Sequence, residues 1–300
     1  MSTPAPGAAR RRRPRSRARH VADAAQTGFT PALKALEELA YEGVQISVRI
    51  EDVDSGQALL AIDDYVVMPL GSLGGVLLLI DVAARMEIDD LDPLTVLDRE
   101  EEDAVAESGP WERLQIPSLP LIDLAELVAA TSDGVATNTL LRAVGLDAVR
   151  ARAEGLGILR TAVLDRVRDE RGPDDAPHVS VGSVRELAGL FRGLARGEVV
   201  DEVTSAQVME WMSGHSDLSL VSSAFGLDPL AHRGSDHGLC LAHRTGAARG
   251  VRAEAGVLRG PSRSVAYAVA VSFPDRELRS RLVVLDALRR VGLNIVEYVA

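Results

Sequence analysis

Lysine is nearly missing from this sequence of 300 residues: Lys34 is the only one, and it lies outside every plausible active site. The protein's function is therefore not expected to rest on a lysine. Cysteine is as scarce. With Cys240 alone no intrachain disulfide can form, a composition that suits a reduced cytosol. Long apolar runs are missing too. The longest, Val76 to Ile80 with Val82, Ala83 and Ala84, is broken by Asp81 and closed by Arg85, far short of the roughly 20 residues a membrane-spanning helix needs. No apolar segment follows the N-terminal arginines, which lead into His20-Val21-Ala22-Asp23. An export signal is thus not read, and a cytoplasmic location is predicted.

What is present is an acidic body behind a basic tail. The formal charge is -11, but seven arginines between Arg10 and Arg19, offset by Asp23, give the first two dozen residues +6 and leave -17 on the rest. An acidic body of that size repels nucleic acid and anionic membrane, so neither is expected as the partner of the folded part. Residues 1–25, rich in Pro, Ala and Arg and without periodicity, are predicted to be a disordered tail whose arginines could hold phosphate by charge alone. At 46% hydrophobic, the remainder can bury a full core.

Periodicity divides that remainder into three blocks. Leu33, Leu36, Leu39 and Ala40 have helical spacing, with Pro31 in the first turn. Val44, Ile46, Val48 and Ile50 alternate as in a half-buried strand, and Asp54-Ser55-Gly56 turns into a second strand over Ala58 to Ile62. A buried helix is predicted from Gly71-Ser72 to about Met86. Residues 89–120 carry Pro93, Pro110, Pro117 and Pro120 and are predicted as loops. Short helices follow over 123–131, 137–144, 146–154, 183–196 and 205–213, with a charged loop at 168–178. Strands return at 238–243, 251–258 and 264–273, closed by a helix over 275–291. The fold class is thus α+β: an antiparallel sheet built from both chain ends and flanked by helices, with a helical lobe at about 87–213 inserted into a domain spanning 30–300.

Three short motifs carry chemistry. Ser72-Leu73-Gly74-Gly75 opens the first buried helix, Ser132-Asp133-Gly134 sits at a helix junction with Asn138 shortly after, and Arg244-Thr245-Gly246 lies on a late strand. In this order they resemble the S-x-x-K, S-D-N and K-T-G motifs of the class A β-lactamase and penicillin-binding serine hydrolase family, over roughly residues 30 to 300. The resemblance implies a two-lobe fold and acyl-serine chemistry on a β-lactam or related amide or ester. Ser72 would be the nucleophile and Ser132 the proton relay. Arg244, Thr245 and Gly246 would hold a substrate carboxylate, with Asn138 and Arg249 as further binding residues. In the family the base is the motif lysine or a water held by an Ω-loop glutamate. Gly75 replaces the lysine here, and Glu170 is the first choice among the carboxylates of the loop near Leu164 to His178. Without an activated hydroxyl, acylation slows by orders of magnitude.

Two functional classes follow: an impaired serine hydrolase, or a catalytically silent relative whose cleft binds an anionic small molecule or a partner protein. Ser72 has a plainer role open to it as a helix N-cap. His232, His237, Cys240 and His243 are all acceptable zinc ligands, but strand alternation puts Cys240 on the opposite face from His237 and His243, so neither metal nor other cofactor is expected. The same alternation turns His243, a conceivable substitute base, away from Arg244. Trp111 and Trp211 are expected to pack.

Overall fold

The computed structural model describes residues 28–106 and 108–300, so the arginine-rich tail lies outside the described residues. In chain order, α1 (Thr30–Tyr41) leads into β1 (Gln45–Asp52), β2 (Ala58–Ile62) and β3 (Val67–Pro69). A 3-10 turn, Gly71–Gly74, precedes α2 (Gly75–Glu87), β4 (Val96–Asp98) and β5 (Ser118–Pro120). Then come α3 (Leu121–Thr131), α4 (Gly134–Val144), α5 (Leu146–Gly155), β6 (Ala162–Val163), β7 (Ser180–Ser183), α6 (Val184–Ala195) and α7 (Glu202–Ser213). The chain closes with β8 (Cys240–Ala248), β9 (Val251–Arg259), β10 (Ser264–Ser272) and α8 (Leu278–Val299).

The main sheet has the order β2-β1-β10-β9-β8, with antiparallel neighbours throughout. Its central pair joins β1 to β10, so the two chain ends meet in the middle of the sheet. Each face covers a core. On one, Val48, Ile50, Val265, Tyr267 and Val269 pack with Leu36 and Leu39 of α1 and Leu288, Val291 and Ile295 of α8. On the other, Ala253, Ala255, Ala266, Ala268 and Ala270 present short side chains, and α6 packs on them through a core that contains Leu187 and Phe191. That second core runs on into α2, α3, α4, α5 and α7. Of the segment expected as a helical lobe, α6 thus lies on the sheet itself. No helix among the described residues is long and apolar enough to cross a membrane.

Several boundaries differ from expectation for identifiable reasons. The helix predicted to start at Gly71 begins at Gly75 after a 3-10 turn, because Gly71 holds φ +60° and its backbone packs directly on Ala247, where a Cβ would lie 2.9 Å from the Ala247 nitrogen. The predicted loop region 89–120 holds the β4–β5 pair and a 3-10 turn at Glu101–Asp103. The last helix passes through Gly292 to Val299. Gly292 is no terminator, since a Cβ there would run into the Val221 carbonyl oxygen, and the bare backbone lets α8 lie against that segment. Most consequential for the site, β8 extends through Arg244-Thr245-Gly246 to Ala248 instead of ending at His243.

Candidate functional site

β8 is an edge strand, and the Ser72 turn packs directly against it. The approach is tight: a Cβ on Gly246 would collide with the Leu70 carbonyl, and the Leu73 nitrogen would be 2.7 Å away. Glycine at 246 therefore sets the spacing between strand and turn. At this spacing Ser72, half-buried, has its Oγ 3.4 Å from the Thr245 carbonyl oxygen. The hydroxyl caps no helix. The 3-10 turn is preceded by Leu70 and α2 by Gly74, neither helix has a side-chain cap, and the N-cap expectation is corrected on that ground.

Arg244 departs furthest from expectation. Its side chain is fully buried and bonds backbone, with Nε donating to the Ser72 carbonyl at 3.0 Å and Nη1 to that of Val128, while Nη2 has no partner. A Cβ at position 75 would meet Nη2 at 2.7 Å, so the guanidinium stands where a side chain of residue 75 would have to pass. Burial lowers Arg244 to about 10, which leaves it a cation at neutral pH. It is not a solvent-facing anchor for a substrate carboxylate.

The Ser132 turn is likewise modified. Ser132 ends α3 in the left-handed region (φ 54°), with its Oγ buried and unpartnered. Asp133 accepts hydrogen bonds from the backbone N–H groups of Ala136 and Trp111, capping α4 and fixing the Trp111 segment; burial raises it. At Gly134 a Cβ would lie 2.8 Å from that of Ser108, so Ser108 takes up the room an asparagine would need. Asn138 is committed elsewhere. Its amide nitrogen donates to the Asp103 and Val167 carbonyls and its oxygen accepts from the Val167 N–H, which pins the 164–178 loop to α4 and leaves neither amide proton for a ligand. Within that loop burial works against Asp165, but bonds from Arg168, the Arg166 N–H and Arg171 hold it below the usual range. Asp169 accepts from the Ala106 N–H. Glu170 is exposed and forms no hydrogen bond or ion pair among the described residues. Arg249 is exposed on the β8–β9 turn, four residues past Thr245 and so about 13 Å along the strand.

Thr245 is surrounded by groups that sequence inspection did not single out. Its Oγ1 donates to Asp217 Oδ2 at 2.8 Å and lies 2.9 Å from His215 Nε2, whose ring partner Nδ1 is 2.7 Å from the Ala129 carbonyl. Burial, then the charge of Arg244, pushes His215 down to about 4. Across the ladder from Thr245 stands Glu254, buried and bonded by the N–H groups of Val221 and Ser222 and by the Tyr267 hydroxyl; burial pushes it up to about 7. A glutamate inside the apolar run of β9 was a visible signal. His215 and Asp217 gave none, because nothing local ties them to a strand 30 residues on. His243 is fully buried with its ring 4.9 Å from that of His215 and 6.4 Å from that of His232, and burial holds it well below its ordinary value. His237 and Cys240 are exposed, and no group of three or more ligating side chains among the described residues could hold a metal ion. Trp111 and Trp211 are both buried in the larger core.

Comparison with solved structures shows the same fold. A β-lactamase from Sphaerobacter thermophilus superposes with TM-score 0.77 at 18% identity, covering 88% of this chain and 96% of that one. A β-lactamase from Burkholderia vietnamiensis gives 0.73 at 20% identity, with 89% and 96% covered, and PBP-A gives 0.72 at 17%, with 89% and 94%. A search of curated proteins finds no match. The profile of the β-lactamase enzyme family matches residues 29–299, nearly the whole described chain, and this protein therefore belongs to that family.

Proposed function

We propose that this is a β-lactamase family member that binds a small molecule in its cleft without acyl-serine turnover. One observation carries the reading: the Arg244 guanidinium fills the space beside residue 75 from which a base would have to act on Ser72. A serine hydroxyl needs a neighbour to take its proton. The Ser72 hydroxyl meets a backbone carbonyl, and the guanidinium bonded to the Ser72 carbonyl stays charged at neutral pH and donates hydrogen bonds without accepting any. Glu170, exposed and unbonded, supplies no alternative base in this arrangement.

A retained binding role is supported by a polar atom left over at the Ser132 turn. The Ser132 hydroxyl is buried with no partner, at a cost of about 1–3 kcal/mol, which a hydrogen-bonding group on a ligand would offset. Intact-mass spectrometry after long incubation with a chromogenic cephalosporin, and separately with a fluorophosphonate, tests the reading. Neither probe should add mass, and Ser72→Ala should behave as the wild type does. An adduct lost in Ser72→Ala would restore the serine-hydrolase reading, as for a point mutant of PBP-A that was captured as an acyl-enzyme with penicillin G.

A further inference from the structure

Building on the non-turnover reading, we infer that Asp217 sets the ligand class of this cleft: the subsite at Thr245 takes a cationic or N–H donor group and refuses a carboxylate. Ser72 meets the backbone carbonyl of Thr245, whose nearly buried hydroxyl, if free, could donate to an anion that reached it. Its proton is already spoken for. The Ala129 carbonyl can only accept, so His215 Nδ1 carries the ring proton, and with the imidazole neutral Nε2 is a lone pair that also takes the Thr245 backbone N–H at 3.2 Å. The single hydroxyl proton thus lies between two acceptors, Nε2 and Asp217 Oδ2. None remains for a ligand carboxylate.

Of the charges nearby, the Arg244 cation is turned to the Ser72 and Val128 carbonyls on the opposite face of β8. Residues opposite one another on antiparallel strands share a face, so Glu254 puts a second carboxyl group behind Thr245. The arginine two positions away on β9, Arg252, turns Nη1 to the Ala248 and Val251 carbonyls and has Nη2 3.8 Å from Asp275. Asp217 itself is half-buried, forms no ion pair within 4 Å among the described residues, and acts on Arg252 only from beyond that distance. Each of its oxygens accepts one hydrogen bond, Oδ1 from the Ser219 N–H and Oδ2 from Thr245, leaving acceptor capacity for an ammonium or amide group.

Three probes differing at one group test this: N-acetyl-D-alanine, N-acetyl-D-alaninamide, and N-acetyl-1,2-diaminopropane, in which an ammonium replaces the carboxylate. Dissociation constants come from ligand-observed NMR titration of the full chain at pH 7, with Asp217→Asn and Asp217→Ala as variants. The wild type should bind the ammonium and amide probes at least tenfold more tightly than the acid. Both variants should weaken the ammonium probe at least tenfold and bring the acid to parity with it. Equal or tighter binding of the acid by the wild type, an order unchanged in both variants, or no binding of any probe would each overturn the inference. A mass adduct at Ser72 would remove the non-turnover reading and leave the probe order standing, so the two failures are distinguishable.

Discussion

Gly75 and Arg244 are one structural unit, although 169 positions separate them in the sequence. Alanine in place of glycine ordinarily stabilises a helix by about 0.5–1 kcal/mol. Here the added methyl would press on a guanidinium tied to two backbone carbonyls and buried on all sides, so it has no cheap way to move. Gly75→Ala should therefore cost about 1–3 kcal/mol, whereas in an Arg244→Ala background the same change should be stabilising. Urea denaturation of the four proteins of this cycle reads the change of sign, and additive effects would mean that the guanidinium does not occupy that space. Ser108 stands in a similar relation to Gly134. In both motifs the sequence displays the missing side chain, but only the fold displays the residue filling its place.

Among the elements, α8 and the 164–178 loop depend on contacts that local sequence rules misjudge. Helix propensity alone favours Gly292→Ala by about 1 kcal/mol. Because the methyl would meet the Val221 carbonyl and lie 2.8 Å from the Ala224 Cβ, a net loss of about 1–3 kcal/mol is expected, measurable by chemical denaturation. Asn138 holds the loop by bonds in both directions with Val167. Asn138→Ala should cost about 1–3 kcal/mol, and amide hydrogen exchange should quicken across residues 164–178 more than in the main sheet. Uniform quickening would show that the residue supports the whole fold rather than the loop. The loop itself was legible from its charge and proline; its anchor, read as a substrate contact, was not. An asparagine on a helix displays its amide equally to a ligand or to a neighbouring backbone, and packing chooses between them.

For the whole molecule, the buried groups behind β8 set opposing pH dependences. His215, lowered from 6.5 to about 4, binds fewer protons when folded, so its contribution is present above pH 6.5 and lost as pH falls towards 4. Glu254, raised from 4.5 to about 7, contributes stability below pH 4.5 that is lost as pH rises through 7. The two nearly cancel in the shared window. His243, also lowered by burial and facing His215, His232 and Glu254, tips the balance towards loss on acidification. Glu254→Gln keeps an acceptor for Tyr267 and removes the opposing titration, so its stability should fall more steeply than the wild type's between pH 7 and 4.5. Parallel profiles would mean that Glu254 titrates as an ordinary carboxyl.

The amino-acid sequence by itself determined the α+β class, the meeting of both chain ends in one sheet and the order of the three motifs, because alternation, helical spacing and turn residues are local properties. Only the tertiary structure decided that Arg244 faces inward to the backbone, that Asn138 is a loop anchor, and that His215, Asp217 and Glu254 surround Thr245. Those outcomes depend on which distant groups compete for the same space and the same hydrogen-bond acceptors, and that competition exists only once the strands and helices have packed.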